Sequence, residues 1–291
     1  MNKIYCPDGC PCPQYNCYNE NILALHSQSA VSIDTESIEL DLSVENEVYA
    51  SCSVTWNNQM YILGGLKSPN QVQQIENCSL KIKGKLPFKL RLGTCTTVNY
   101  ESIVACFDYF DKSACYKSST GPIGLFESLP DSTFTHREAR IAAINDTILA
   151  VGSATPLTSH SELLSLTNSV WQVVSDYPFH SDIRLMSLIS FKDAFYVFGG
   201  LERRSGEEIQ TIAKFDGKWS EAGRLKVGRY AHSAILFGSS SVLVVGGVGN
   251  LQVERCTLFD GEFDCINKEP RLDNWSYYPE MFLVHPSFYK Q

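Results

Sequence analysis

The residues with the most evident chemistry in this sequence are its eleven cysteines. Four of them lie close together near the start, at Cys6, Cys10, Cys12 and Cys17. Their dense spacing among prolines predicts a small disulfide-bonded segment, because high cysteine usage is typical of chains that fold in an oxidising environment. A zinc site is the alternative, although this run lacks the paired Cys-x-x-Cys arms that tetrahedral zinc sites use.

Two later pairs of cysteines flank predicted turns symmetrically. Cys256 and Cys265 are equally distant from Asp260-Gly261, which is a strong signal for a two-residue hairpin turn. Cys106 and Cys115 flank a second central dipeptide in the same way. Because directly opposite residues of a hairpin have Cβ atoms close enough to be bridged, we predict a disulfide in each pair. Buried free thiols are the alternative.

The other three cysteines, Cys52, Cys78 and Cys95, have no obvious partners. Cys52 and Cys95 occupy equivalent positions in two neighbouring repeats, described below, and are therefore a candidate pair. Since eleven is an odd number, at least one thiol stays free or is available for an intermolecular disulfide.

The six histidines show no catalytic or metal-binding spacing. None forms His-x-x-x-His, the pattern that places two ligands on one face of a helix. His136 and His232 each lie beside an arginine just before an apolar run, which favours a structural role. The chain also contains no phosphate-binding Gly-rich loop, Gly-x-Ser-x-Gly elbow or EF-hand loop. We therefore predict no catalytic residue, no metal and no cofactor.

A short apolar run that ends in a small residue recurs along the chain and defines the elements. Its landmark residues, at positions 26, 64, 107, 152, 199 and 246, are 38, 43, 45, 47 and 47 residues apart. This is the spacing of four-stranded propeller blades. The runs are short, β-branched or aromatic, and bounded by Gly, Pro, Asn or Asp, which indicates strands. The sequence predicts an all-β, six-bladed propeller, with seven blades as the alternative.

The two ends of the chain are predicted to share one blade. The run from Tyr278 to Val284 has the character of an inner strand but no second strand follows it. Ile22–Leu25 would supply that second strand, and 30–34 and 38–42 the third and fourth. Closure of this kind removes exposed sheet edges.

Several residues of the second half follow the order of a known repeat. Gly199-Gly200, Phe215, Trp219 and 229–232 (Arg-Tyr-Ala-His) match the double Gly, aromatic, Trp and Arg-x-x-His positions of kelch repeats, whereas the copy at 107 has lost both glycines. The chain thus resembles the kelch-repeat β-propeller family. This resemblance implies a kelch-like β-propeller over residues 21–291, closed by strands from both termini, after a Cys-rich segment at 1–20.

Composition favours an extracellular protein. Three Asn-x-Ser/Thr sequons, at Asn77, Asn145 and Asn274, are candidate glycosylation sites and agree with the cysteine usage. The formal charge of −8 argues against a nucleic-acid partner. No run of 18 apolar residues occurs, so no membrane span is expected. The first residues lack the apolar core of a signal peptide, so secretion implies a signal that the printed sequence does not include.

The function expected of such a propeller is binding without catalysis. Loops after the second strands would place Tyr109, Phe110, Arg203 and Arg204 on one face, and these are residue types favoured at binding hot spots. We expect a protein partner or an extracellular matrix component.

Two other classes of function stay open. One is a propeller enzyme, either copper oxidase-like or glycan-active, but no matching copper-ligand or sialidase pattern is present. The other is an intracellular kelch adaptor, which would carry an upstream dimerisation domain. Only residues 1–20 precede the repeats in the printed sequence, so we expect no such domain here.

Overall fold

The computed structural model describes residues 21–26, 29–33, 38–40, 48–76, 79–152, 158–248, 252–268 and 278–284. Every regular element within these ranges is a β-strand, which confirms the predicted all-β class. In the same ranges, no helix has the length and apolar character that a membrane span requires. The predicted Cys-rich segment at 1–20 lies outside the described residues.

The strands form four four-stranded sheets, one eight-stranded sheet and one small three-stranded sheet. In chain order they are β1 (Asn21–His26), β2 (Ser29–Ile33), β3 (Ile38–Leu40), β4 (Cys52–Trp56), β5 (Gln59–Leu63), β6 (Gln71–Glu76), β7 (Ser79–Lys85), β8 (Thr94–Val98), β9 (Ser102–Cys106), β10 (Cys115–Ser118), β11 (Glu127–Ser128), β12 (Arg140–Ile144), β13 (Thr147–Val151), β14 (Ser161–Ser165), β15 (Val170–Val173), β16 (Ile183–Arg184), β17 (Ser187–Phe191), β18 (Ala194–Phe198), β19 (Leu201–Glu202), β20 (Glu207–Glu208), β21 (Thr211–Phe215), β22 (Trp219–Arg224), β23 (Ser233–Phe237), β24 (Ser241–Val245), β25 (Val253–Phe259), β26 (Glu262–Lys268) and β27 (Glu280–Val284). Within each four-stranded unit, neighbouring strands pair antiparallel.

One sheet combines both ends of the described chain. Its strand order is β27-β1-β2-β3, and Asn21 lies directly opposite Val284. This is the predicted closure by strands from both termini. The observed bounds differ from the predicted ones by one or two residues, and β3 ends at Leu40, beyond which residues 41–47 are not described.

The first strands of the successive units surround a common axis. β4 packs against β8, β8 against β12, β12 against β17, β17 against β23, β23 against β27, and β27 against β4. This closed ring, with sheets radiating from it, is a β-propeller-like fold. We call the side that carries the connections 64–70, 107–114 and 199–210 the loop face. The opposite side, with the turns 57–58, 99–101 and 145–146, is the hairpin face.

Left-handed residues determine where these inner strands begin. The residues two positions before them, Ala50, Leu92, Glu138, Leu185, Ala231 and Tyr278, all have φ between 48° and 56°. Such a φ interrupts extended backbone. The predicted strand at 278–284 therefore begins later than expected, at Glu280.

The same residues link the sheets to one another. The backbone N–H of Tyr278 donates to the carbonyl of Ala231, at 2.7 Å, and that of Ala231 donates to Leu185, at 2.8 Å. Leu185 donates to Glu138 and Leu92 to Ala50, each at 3.1 Å. These bonds run from sheet to sheet around the loop-face end of the axis, so they stabilise the ring at that end.

Double glycines allow one sheet to approach the chain that leads into the next. A Cβ on Gly64 would lie 2.3 Å from the carbonyl oxygen of Leu90, and one on Gly199 would lie 2.7 Å from that of Arg229. Only glycine fits such contacts without displacement. Phe107, in the copy without glycines, keeps the left-handed backbone with φ of 67°.

The eight-stranded sheet consists of two antiparallel units joined at their outer strands. β22 and β26 pair in parallel at a single position, Gly223 opposite Phe263. A Cβ on Gly223 would lie 2.5 Å from the carbonyl oxygen of Phe263. Glycine at this position is therefore a condition for the junction between the two units.

Candidate functional site

Three disulfides stabilise the described part of the chain. Cys106–Cys115 and Cys256–Cys265 each bridge directly paired residues of neighbouring strands, with Cα atoms 4.1 and 3.9 Å apart. Cys52–Cys95 joins the inner strands of two neighbouring sheets. All three bonds join residues that the sequence analysis paired. The remaining cysteines, Cys6, Cys10, Cys12, Cys17 and Cys78, lie outside the described residues.

Of the three sequon asparagines, the structure describes one. Asn145 is exposed at the turn between β12 and β13, on the hairpin face. Asn77 and Asn274 lie outside the described residues.

The predicted binding residues Tyr109 and Phe110 lie on a loop that Asp108 organises. The carboxylate of Asp108 accepts hydrogen bonds from the backbone N–H groups of Arg91, at 2.7 Å, and of Phe110, at 3.0 Å. It also pairs with the Arg91 guanidinium at 3.2 Å. The N–H of Tyr109 donates to the carbonyl of Arg91, at 2.9 Å. The loop is thus fixed to the chain that leads into β8.

Two arginines hold the aromatic rings in place. The guanidinium of Arg91 lies 5.1 Å from the centroid of the Phe110 ring, and that of Arg137 lies 4.0 Å from the Tyr109 ring. Arg137 also donates to the Tyr109 hydroxyl, and the two rings meet edge to face at 5.1 Å. Even so, Phe110 keeps 74% of its surface exposed. We call Arg91, Asp108, Tyr109, Phe110 and Arg137 the Phe110 ridge.

A groove of about 530 Å³ lies beside this ridge. Its walls include Phe110 and Asp111 on one connection and Phe88 and Lys89 on the other. Phe88 stacks on Tyr116 with ring centroids 3.9 Å apart, so the groove has an aromatic wall. A volume and lining of this kind are typical of sites for small ligands or for a partner's side chains.

The other predicted binding pair, Arg203 and Arg204, lies elsewhere on the loop face. Both are exposed in the turn between β19 and β20. Arg203 lies 4.0 Å from the buried carboxylate of Asp182. Burial raises the pKa of Asp182, and the charge of Arg203 opposes part of this shift. Tyr109 and Phe110 contact Arg137 and Arg91, whereas Arg203 pairs with Asp182. The structure therefore separates the predicted residues into two locations.

A smaller polar cavity of about 230 Å³ lies on the axis among the inner strands. Arg140, Tyr278 and Glu280 contribute to its lining. The Ser51 hydroxyl donates to the carboxylate of Glu280 at 2.8 Å. Burial raises the pKa of Glu280, and the hydroxyls of Ser51 and Ser53 counteract part of this effect. The cavity is therefore lined by polar groups and contains a deeply buried carboxyl.

His136 is buried between two oxygen acceptors and is not directed into a pocket. Its Nδ1 faces the carbonyl of Gly152, and its Nε2 lies 2.9 Å from the carboxylate of Glu162. Burial alone would raise the pKa of Glu162, but hydrogen bonds from His136 and from residues 133–134 lower it. A carbonyl and a carboxylate can only accept. The ring therefore bridges these two oxygens, and the carboxylate of Glu162 is shared by His136 and the backbone N–H groups of Thr133 and Phe134.

Arg229 has the equivalent place before β23. Its guanidinium donates to the carbonyl of Gly246, at 3.0 Å, and to the carboxylate of Glu254, at 2.5 Å. Glu254 also accepts from the backbone N–H groups of Lys226 and Val227. Arg229 contacts Gly246 and Glu254 as His136 contacts Gly152 and Glu162. Because the same arrangement recurs in two sheets with different side chains, we interpret the pair of Arg229 and Glu254 as a structural anchor for the connection between sheets.

The histidines in the described ranges do not form a metal centre. His232 is fully buried, and its pKa is lowered well below the ordinary value, first by burial and then by nearby arginines. Within the described part of the chain, one group of possible ligands converges: Glu254, Cys256 and Cys265. Both sulfurs are in a disulfide and the carboxylate pairs with Arg229, so this group cannot offer its ligand atoms to an ion.

Sequence reasoning missed Arg91, Arg137 and Asp108 as parts of the site. A weak signal existed, because Arg91, Arg137 and Arg184 each lie three residues before an inner strand. The left-handed residue that follows each of these arginines places it at the loop-face end of the axis.

Comparison with known proteins adds the fold alone. No family model and no curated protein sequence matches this chain. A solved structure of a protein named YjhT matches 83% of this chain and 92% of its own, with a TM-score of 0.67 and 11% sequence identity. At that identity the match supports the propeller-like fold and carries no functional information.

Proposed function

We propose that this chain is a six-bladed, kelch-like β-propeller that acts outside the cell as a non-catalytic binding module. The blade number is supported by the six left-handed residues that precede the six inner strands of the ring.

The kelch likeness is supported by two equivalent tryptophans. Each donates its indole N–H to a backbone carbonyl just after the last strand of the preceding sheet. Trp171 donates to Pro130 at 2.8 Å, and Trp219 donates to Ser175 at 3.0 Å.

Three disulfides support the extracellular setting. Such bonds form and persist in oxidising compartments, whereas the cytosol keeps thiols reduced. They therefore argue against the intracellular kelch adaptor. We infer that the partner is a secreted or cell-surface protein or an extracellular matrix component.

The observation that carries this function is the exposed but immobilised Phe110. Phe110 has 74% of its surface exposed, and its ring meets that of Tyr109 edge to face. Its backbone N–H is bound by Asp108, and its ring is covered on one side by Arg91. Order that exists before binding reduces the entropy lost on binding, and aromatic and arginine residues dominate hot spots.

The test compares two exposed phenylalanines on opposite faces. Phe110→Ala removes the ridge, while Phe259→Ala, at a position 80% exposed on the hairpin face, is the matched control. A photo-crosslinking residue at position 110 identifies the partner, whose affinity is then measured with purified proteins. We expect Phe110→Ala to weaken binding at least about tenfold, or about 1.4 kcal/mol, and Phe259→Ala to leave it unchanged. The reverse order of effects would remove the loop face from the proposal.

The axial cavity supports a second candidate, an enzyme or receptor for a small polar molecule. Arg140, Tyr278 and Glu280 line it, but its volume of about 230 Å³ is below the usual range for ligand sites. Each of the six cysteines in the described ranges is disulfide-bonded, so none of these can form a copper oxidase-like Tyr–Cys link. This candidate predicts that a monosaccharide raises the melting temperature of the wild type and not that of Arg140→Ala.

A further inference from the structure

The turn between β12 and β13 presents one asparagine in an unusual backbone state. Ile144 pairs with Thr147, so Asn145 and Asp146 form the turn, and both are exposed. Asn145 has φ of 50°, in the left-handed region that asparagine tolerates better than most residues. With Thr147 it forms the one Asn-x-Ser/Thr sequon that the described ranges contain.

The neighbouring β8–β9 turn contacts Asp146 and leaves the Asn145 side chain exposed. Asn99, at the tip of the β8–β9 hairpin, donates its amide to the carboxylate of Asp146, at 3.2 Å. The amide of Asn145 is exposed and engages no group within the described ranges. The bond between Asn99 and Asp146 brings the two hairpin tips together, and Tyr100, with 75% of its surface exposed, and Asn145 are each the sequence neighbour of one bonded residue.

We propose that Asn145 carries an N-linked glycan that covers the hairpin face around Tyr100 and leaves the loop face open. The disulfides indicate the oxidising route on which such glycans are attached. In the transfer, the Asn145 amide nitrogen bonds to the anomeric carbon of a lipid diphosphate-linked oligosaccharide. The lipid diphosphate leaves, and the amide nitrogen loses one proton.

The glycan explains an otherwise unprotected aromatic ring. Tyr100 is exposed on the side of the ring opposite the Phe110 ridge, and aromatic side chains contribute strongly to contacts between proteins. A hydrophilic oligosaccharide on the adjacent turn shields this ring without touching the axial cavity or the ridge. The site is independent of the proposed partner binding, which concerns the other face.

The experiment uses full-length protein secreted from eukaryotic cells. Enzymatic release of glycans in heavy-oxygen water converts each glycosylated asparagine to a mass-labelled aspartate. We expect the label at Asn145 in the wild type and in Thr147→Ser, and its loss in Thr147→Ala. Asn145→Asp keeps a residue suited to the left-handed turn and is a second form without glycan. Asn58, exposed and left-handed with φ of 60° but outside any sequon, controls for spontaneous deamidation.

Hydroxyl-radical footprinting then tests the shielding. We expect less labelling of Tyr100 in the glycosylated wild type than in Thr147→Ala, and equal labelling of Phe259, which lies on the same face in another sheet. Equal melting temperatures would show that the variants are folded. Unlabelled Asn145 in secreted, folded wild type overturns the proposal, and equal labelling of Tyr100 in both forms overturns the shielding.

Discussion

Two buried glutamates of this protein respond to pH in opposite directions. Glu162 accepts hydrogen bonds from His136 and from backbone N–H groups, and these lower its pKa. Glu280 lies in the axial cavity with hydroxyl partners, and burial raises its pKa. A lowered pKa stabilises the fold above the unfolded value and loses this effect as pH falls. A raised pKa stabilises the fold at low pH, and the effect is lost as pH rises through the folded pKa.

These signs predict different pH dependences for two similar substitutions. Glu162→Gln replaces the charged acceptor of His136 and of two backbone N–H groups by a neutral amide, and should lower stability by about 1–3 kcal/mol near neutral pH. Its deficit relative to the wild type should shrink as pH falls. Glu280→Gln should gain stability relative to the wild type as pH rises. Urea unfolding between about pH 4 and pH 8 measures both differences, with the exposed Glu207→Gln as the control. Parallel curves for all variants would contradict the assignment.

At the residue scale, sequence alone predicted side-chain types better than their partners. Tyr109 and Phe110 were selected because they are residue types favoured at hot spots and lie in a predicted loop. Arg137 donates to the Tyr109 hydroxyl although 28 residues of sequence separate them, and no local sequence pattern predicts such a contact. The role of His136 was predicted as structural, but its partner Glu162 required the pairing of strands to be known.

At the element scale, glycine permits junctions that other residues would block. Gly223→Ala places a methyl group against the Phe263 carbonyl in a backbone with φ of 131°. Gly217, with φ of 104° and no atom within 4 Å of its Cβ position, has the same backbone requirement without the contact. We expect Gly217→Ala to cost about 1–2 kcal/mol and Gly223→Ala to cost roughly 1–3 kcal/mol more. Thermal unfolding measures both, and equal costs would show that the β22–β26 contact contributes nothing.

The disulfides also differ by the elements that they join. Cys52–Cys95 closes a separation of 43 residues between two sheets, whereas Cys256–Cys265 closes 9 residues within one. Chain entropy predicts stabilisation of about 4 kcal/mol for the first and about 3 kcal/mol for the second. Replacing each pair by alanines and comparing denaturant midpoints tests this order. A larger loss from the Cys256–Cys265 variant would contradict it.

Element boundaries were less predictable than element number. The repeated apolar runs revealed the strands, because a period of two and turn residues at their ends are local properties. The start of the last inner strand was placed too early, at 278. Ala231 and Tyr278 adopt left-handed backbone to bond neighbouring sheets, and this demand comes from the ring and not from their own side chains.

At the scale of the whole molecule, the ring depends on the last strand. β27 pairs with β1 and contacts both β23 and β4, and among the described residues no other segment completes the circle. Deleting residues 278–291 should therefore abolish cooperative folding, because it exposes β1 and leaves the two neighbouring inner strands unsupported. Circular dichroism and thermal melts test this result, with deletion of 285–291 as the control. A melting temperature unchanged by the longer deletion would refute the closure.

The pairing of Asn21 with Val284 also determines the side of the ring on which the first and last strands of the described chain end. β1 starts and β27 ends on the hairpin face, so the segments before residue 21 and after residue 284 both attach on that side. Any anchor, fusion domain or disulfide-linked neighbour at either terminus would pull from behind the propeller. The Phe110 ridge would then point away from the attachment, in the orientation of a receptor whose binding surface faces outward from its support.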